Sequence, residues 1–505
     1  MGSKRIIKIL SFVLSIAAVV SAAAACSAEE QKPNVSEETA SDTSGNINAP
    51  EDADAIVERL YGNTKYEGEI VRILCPAAGT TWCRFISDTA NEVWFEDAGS
   101  DVLQRAVYER NTKTEKLLGI TISPVWEAGD NPIAERVNRD VVAGVDEYDT
   151  VLMTLGNSMT AAQNGNTLNF NDIGTFDPSH EWWDAQFIKD CTLFGEDLYA
   201  VAGAINIMDD CSVGVLIFNK DLLEFNNCAD PYQQVFDGTW TVDAMMADAR
   251  ACTRDLNGDT EYDENDSWGI GTYGNGIIFG MHGFDSGIAR MNEEGIPTII
   301  GNTEKNIEMC RYWFDNVTNS DCLYNQGVNG EESPEDMFYN GQLAFYVGNL
   351  TPRTQLREME DEYGILPEAK YNVEQEKYTS ACETGWFTDY LIPKSCSKPE
   401  VVAACLEVMS GYSVNTVDES LHEIVFDSKL ARDEQTRRIL KIVQETISFD
   451  WGGIGEWAAI GGMGISPCFA SMPQGSTFTL ASSLASVIDS AQEALDSLIE
   501  KFDRG

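Results

Sequence analysis

The chain has 505 residues, and 82 Asp and Glu outweigh 34 Lys and Arg to give a formal net charge of -48. A surface of that sign repels phosphate backbones and anionic headgroups, which excludes nucleic acid as a partner. The length requires two or three domain-sized units, and a composition of 43% hydrophobic and 10% aromatic residues is that of a globular protein.

Residues 1–26 begin with Lys4, Arg5 and Lys8 and continue as an apolar run to Ala25. That is the layout of a secretory signal peptide, and it is marginal for spanning a bilayer. Ala23-Ala24-Ala25 leads into Cys26, which resembles a bacterial lipobox with Ala in the usual place of Leu. Lipidation of Cys26 is expected; ordinary cleavage after A-x-A is the other reading. Residues 27–60 are rich in Ser, Glu, Asp, Asn and Pro, and they are expected to form a disordered tether. No second long apolar run follows.

The segment 69–74 (EIVRIL) reads as a strand. Ser100 precedes a helix over 101–118 that stops at Gly119. A strand is expected at 120–126, then a helix carrying Ile133, Val137 and Val141 that ends at Gly144, then an almost wholly apolar strand at 149–155. This alternation predicts a largely parallel, doubly wound α/β sheet. A second unit begins with a strand running into a helix at 214–225. A helix capped by Thr241 follows, with Met245, Ala249 and Cys252 on one face. A strand is expected over 268–274, and a final helix carries an apolar stripe from Leu484 to Phe502.

Between the Thr241 helix and the next strand lies DLNGDTEYDENDSW, residues 255–268. Asp255, Asn257, Asp259, Glu261 (through its carbonyl), Asp263 and Asp266 fall at the first, third, fifth, seventh, ninth and twelfth places of an EF-hand-type loop. Alternate spacing of hard oxygen donors suits a structural calcium ion. Thr260 stands where such loops carry Gly, and Asp266 reaches less far than the usual Glu. An Asp-rich surface turn is the plainer reading.

Thirteen cysteines are scattered without a CxxC or a zinc-type spacing, so both buried thiols and disulfides stay open. With three His and no GxSxG, HExxH or P-loop, catalysis has little local support, although acid pairs abound and counting alone leaves a glycosidase open.

Several segments together resemble the carbohydrate-type, family 1 extracellular solute-binding proteins of ABC importers. They are GEDLYAVAGAINIMDDCSVGVLIFNKDLLE, TWTVDAMMADARAC, MFYNGQLAFYVGNL, YGILPEA and LIPKSCSKPEVVAACLEVM, in the family's order. AVYERNTKTEKLLGI and LARDEQTRRILKIV are similar to segments of a clostridial branch. The resemblance implies a periplasmic-binding-protein-like type II fold: two doubly wound lobes joined by a three-crossing hinge. The lobes are expected at 61–208 plus 384–445 and at 209–383 plus 446–505, with crossings near 205–211, 383–389 and 440–450. It also implies a monomer on the outer face of the cytoplasmic membrane, held only by its lipid anchor. Its ligand would be a sugar or oligosaccharide, passed to ABC permease subunits. A polysaccharide-binding surface lipoprotein without transport, or a binder of peptides or other polar solutes, stays open.

A sugar site needs flat aromatic platforms and planar polar side chains. Trp82 and Arg84 follow the first strand at its carboxyl end, where open α/β sheets bind ligands. Trp94 and Asp97 precede the first long helix, and Asn157 follows the third strand. Trp386 and Asp389 belong to the second crossing, and Trp451 and Trp457 to a Gly-rich loop. Tyr273, Tyr346 and Asn349 complete the candidate set. The pair Trp182-Trp183 is expected at an amphipathic surface.

Overall fold

The computed structural model describes residues 52–77, 92–274, 276–350, 356, 358–421, 434–454 and 465–503. Its strands, in chain order, are β1 (Ile70–Pro76), β2 (Thr121–Glu127), β3 (Thr150–Thr154), β4 (Gly214–Asn219), β5 (Trp268–Gly271), β6 (Ala289–Met291), β7 (Pro297–Ile299), β8 (Leu323–Tyr324), β9 (Leu343–Asn349), β10 (Tyr363–Leu366), β11 (Ser380–Ala381), β12 (Thr388–Leu391) and β13 (Ile447–Ser448).

The first lobe is built on a sheet of order β12-β3-β1-β2. β1 runs parallel to both β2 and β3, and β12 returns antiparallel on β3. The helix Val102–Leu118 links β1 to β2, and Asp130–Ala143 links β2 to β3, as the alternation predicts. The N-cap of the first of these is Asp101 rather than Ser100: its carboxylate accepts the amide of Gln104. Gly119 ends the helix at φ 72°, a left-handed turn that a side chain would strain.

The second lobe has the order β10-β4-β9-β5-β8, antiparallel across β10, β4 and β9 and parallel across β9, β5 and β8. β4 (GVLIFN) is buried at every position, which explains its unbroken apolar run. Thr241 caps the helix Val242–Cys252, whose Met245, Ala249 and Cys252 are buried.

Three expectations about the lobes are corrected. The expected tether to residue 60 overruns the fold, because Ala53–Tyr61 is a helix with Val57 buried against the first lobe's helix Pro399–Ser413. The helix Glu434–Glu445, expected in the first lobe, packs on β10 and on the helix Pro231–Phe236 of the second. Its Ile439, Leu440 and Val443 face that core because the apolar stripe has only that sheet to cover. Residues 440–445 therefore lie within the second lobe rather than at the third crossing.

Glu92 holds the other two crossings together. Its carboxylate accepts the amides of Ile207 at 2.5 Å and Met208 at 3.1 Å, and the Thr388 hydroxyl at 3.0 Å. The crossing strands also meet each other, as the Glu383 amide donates to the Ser212 carbonyl at 2.9 Å. The long helix Leu480–Asp503 carries the expected stripe, with Leu484, Ala491, Leu495, Leu498 and Phe502 buried. It bridges the lobes: it packs on the second lobe's helix Ser466–Ala470 and on the first lobe's Leu155–Gln163, and Phe502 stacks on Tyr199.

Candidate functional site

A cavity of about 560 Å³ opens where β5 and β9 end, against the second crossing. Its wall includes Thr272, Tyr273, Gly274 and Gly276 after β5, Ile277 to Phe279 and His282 of the helix that follows, Val347-Gly348 at the end of β9, Ala381 to Gly385 of the hinge, and Asp450 with Gly452-Gly453. Strand ends converge here because backbone direction and turn chemistry leave loops, rather than packed side chains, at that edge.

Glycine sets the shape. A Cβ on Gly452 would stand 2.3 Å from that of Ile288, so only a bare backbone lets this turn lie against its neighbour. Thr384 ties the hinge to the same turn by donating to the Gly453 carbonyl at 2.7 Å. Tyr273 is 55% exposed at the rim, and its ring meets that of buried Tyr346 edge-on at 6.5 Å.

Behind the wall, Asp450 is satisfied four times. Oδ2 accepts the Ile288 amide at 2.7 Å and pairs with His282 Nε2 at 2.9 Å; Oδ1 accepts the amides of Ala289 and Gly452 at 2.9 and 2.8 Å. Burial alone pushes this carboxyl up, but the hydrogen bond and charge of His282 and the two amides outweigh it and hold it below the usual range. A carboxylate at Nε2 favours the ring proton on that nitrogen. The lining also offers Glu383, which accepts from Asn349 Nδ2 at 3.4 Å, and Phe279. An apolar slot with a few convergent polar groups is suited to hold a small polar ligand without breaking bonds in it.

Of the expected site residues, Tyr273 lines the cavity, with Asn349 one bond away through Glu383. Tyr346 stands behind Tyr273 at 2% exposure. Trp451, expected on an exposed loop, is fully buried, and its indole donates to the Asp190 carbonyl at 2.8 Å. In that turn Asp450 takes the cavity side and Trp451 the core. Asp389 is corrected too: it is fully buried on β12, bonded to the Ser158 hydroxyl, and burial pushes its carboxyl well up. Trp386 is half-buried against the apolar cluster that includes Leu103 and Met208, outside the cavity lining. Trp94 packs on the first lobe's core, and Asp97 accepts the Gly99 amide at 2.9 Å ahead of the helix. Asn157 donates to Thr154 Oγ1 at 3.1 Å in the first turn of Leu155–Gln163. Trp82, Arg84, Trp457 and Cys26, like the signal segment, lie outside the described residues.

Trp182 and Trp183 are buried, not at an amphipathic surface. Both indoles donate to the buried carboxylate of Glu407, at 2.9 and 3.2 Å. Sequence reasoning missed His282, Glu383, Thr384 and Asp450. The usable signal was the glycine density of 452–453 and 274–276, which marks backbone lining a cavity better than the tryptophans beside it.

The acidic stretch is a tight loop. Thr260 is left-handed at φ 71°, as is Gly258 at φ 78°. Asp255 accepts the amides of Gly258 and Thr260, at 2.6 and 2.9 Å, and buried Asp266 accepts those of Leu256 and Asp263. Asn257 and Asp259 each accept an amide two residues on. These oxygens are turned onto their own loop, and among the described residues no three His, Cys, Asp or Glu groups converge as a metal cage.

No protein-family model matches the sequence, and no curated protein does. Solved structures do match. UspC of M. tuberculosis aligns over 84% of this chain and 100% of its own, with 14% identity and a TM-score of 0.54. An ABC substrate-binding protein from Listeria monocytogenes, solved in complex with cycloalternan, aligns over 87% of this chain and 100% of its own, with 16% identity and a TM-score of 0.50. With two α/β lobes, a multi-crossing hinge and this alignment along nearly whole chains, the protein has the periplasmic-binding-protein-like type II fold.

Proposed function

We propose that this protein is a surface-anchored solute-binding protein that captures a carbohydrate between two closing lobes and delivers it to an ABC permease. The observation that carries the reading is the cavity at the strand ends beside the hinge, with Tyr273 exposed at its rim. A ligand held there touches the second lobe and residues 381–385 of the crossing, and it favours the closed state through the contacts that the first lobe adds on closing. The Listeria protein of the same fold was solved with an oligosaccharide, which supports the choice of ligand class. The ordered hydrogen bonding of His282 and Asp450 supports binding rather than hydrolysis, since each atom of the Asp450 carboxylate is already engaged.

Thermal-shift and calorimetric screening of the purified chain against neutral sugars and peptides tests this reading. An oligosaccharide is expected to raise the midpoint and to compact the protein in small-angle scattering. Binding without compaction would favour a rigid polysaccharide adhesin, and stabilisation by peptides alone would replace the ligand class. Anchoring through Cys26 is tested separately: Cys26→Ala is expected to release the protein into the medium.

Calcium binding by the loop of Asp255, Asn257, Asp259, Glu261, Asp263 and Asp266 is also proposed, on its donor set and its left-handed turn at Thr260. A bound cation there would draw these oxygens from the loop's own amides and stiffen the connection between Val242–Cys252 and β5.

A further inference from the structure

We propose that Cys228 and Cys252 are a disulfide-forming pair that closes once the chain meets an oxidising disulfide. Their sulfurs lie 3.9 Å apart, at van der Waals contact, in the second lobe. Bond formation shortens this to about 2 Å, a movement within reach of side-chain rotation on a loop. Cys252 ends the helix Val242–Cys252, and its thiol donates to the Leu222 carbonyl at 3.8 Å. Cys228 follows the left-handed Asn227 at φ 56°, which turns the chain back toward that helix end, and its thiol donates to the Asp248 carbonyl at 3.9 Å.

Exposure sets the order of events. Cys228 is half-buried and Cys252 fully buried. The Cys228 thiolate attacks one sulfur of an external disulfide and expels a thiolate. The Cys252 thiolate then attacks the Cys228 sulfur and expels the second thiol. Two S–H bonds break and one S–S bond forms, and the two electrons reduce the external disulfide to two thiols. Burial and the neighbouring Asp248 push the Cys228 thiol up to about 11, so the pair stays reduced until an oxidant reaches it. The closed loop holds the helix Pro231–Phe236 and ends at the base of the acidic loop, and none of its residues lines the cavity.

The full chain, purified reduced, is incubated with oxidised glutathione and mapped by mass spectrometry. A linked pair of peptides carrying Cys228 and Cys252 is expected, with the loss of two hydrogens and a midpoint raised by a few degrees, reversed by dithiothreitol. The rate is expected to rise about tenfold per pH unit through the neutral range, following the thiolate fraction. Cys252→Ser is expected to trap glutathione on Cys228, and Cys228→Ser to leave the thiol of Cys252 free. Oxidation that links other cysteines, or a glutathione adduct that persists on Cys228 in the unmutated chain, would overturn the assignment. Because the pair lies away from the cavity, ligand affinity is expected to be the same in both forms, so a failure here is distinct from a failure of the binding role.

Discussion

His282 Nε2 lies 2.9 Å from Asp450 Oδ2, and this contact fastens the helix Ile277–Gly283 to the turn that forms the cavity wall. Asp450→Ala leaves the amides of Ile288, Ala289 and Gly452 and the imidazole without their acceptor, and a loss of about 2–5 kcal/mol is expected in urea unfolding. The folded carboxyl is held below its unfolded value, so its stabilisation is present above pH ~4 and fades as pH falls through the folded value. Asp450→Asn is expected to flatten that acid limb. An acid limb as steep as that of the unmutated protein would contradict the role assigned to the carboxylate.

Tyr273 is the exposed aromatic of the cavity. Tyr273→Ala removes a platform for an apolar sugar face, and about a tenfold weaker affinity is expected by calorimetry, equivalent to roughly 1.4 kcal/mol. The thermal midpoint of the free protein should barely move, since the ring is largely in solvent. Unchanged affinity would place the ligand elsewhere.

Glu407 is fully buried and accepts from both indoles of Trp182 and Trp183, from the Asp177 amide at 2.7 Å, and pairs with His180 Nδ1 at 2.8 Å. Glu407→Ala strands those donors, with an expected cost of about 3–5 kcal/mol; Glu407→Gln should cost less. Partial burial alone lowers the His180 imidazole, but its hydrogen bond to Glu407 and the charges of Glu407 and Asp177 win and raise it. Its stabilisation is therefore complete below the unfolded value near pH ~6.5 and is lost as pH rises through the folded value. His180→Asn should remove that decline with rising pH, read from midpoints measured across pH; a decline that survives the substitution would refute the pairing.

Calcium added to chelator-stripped protein is expected to raise the thermal midpoint, and Asp259→Ala to abolish the rise. If neither the metal nor the substitution has an effect, the acidic loop is a self-bonded surface turn, held by its own amides as Asp255 and Asp266 already are.

Much of the fold was legible because periodicity reports burial directly. The β-α-β-α-β order of the first lobe, the Thr241 cap and the stripe of Leu480–Asp503 are local properties, and each is present. The site was less legible. Trp451 and Asp389 read as cleft residues because they flank glycines and a hinge, yet both are buried. In an extended segment neighbouring side chains point to opposite sides, and sequence alone does not say which side is solvent.

The elements, their α/β alternation and the acidic surface can be read from the chain alone, because they follow from side-chain pattern and charge. Long-range packing sets the rest: Glu434–Glu445 lies with the second sheet, Glu92 clamps two crossings, and Asp450 and His282 meet at 2.9 Å across 168 positions of chain. Such contacts depend on how separate stretches are brought together, and no local pattern encodes that distance.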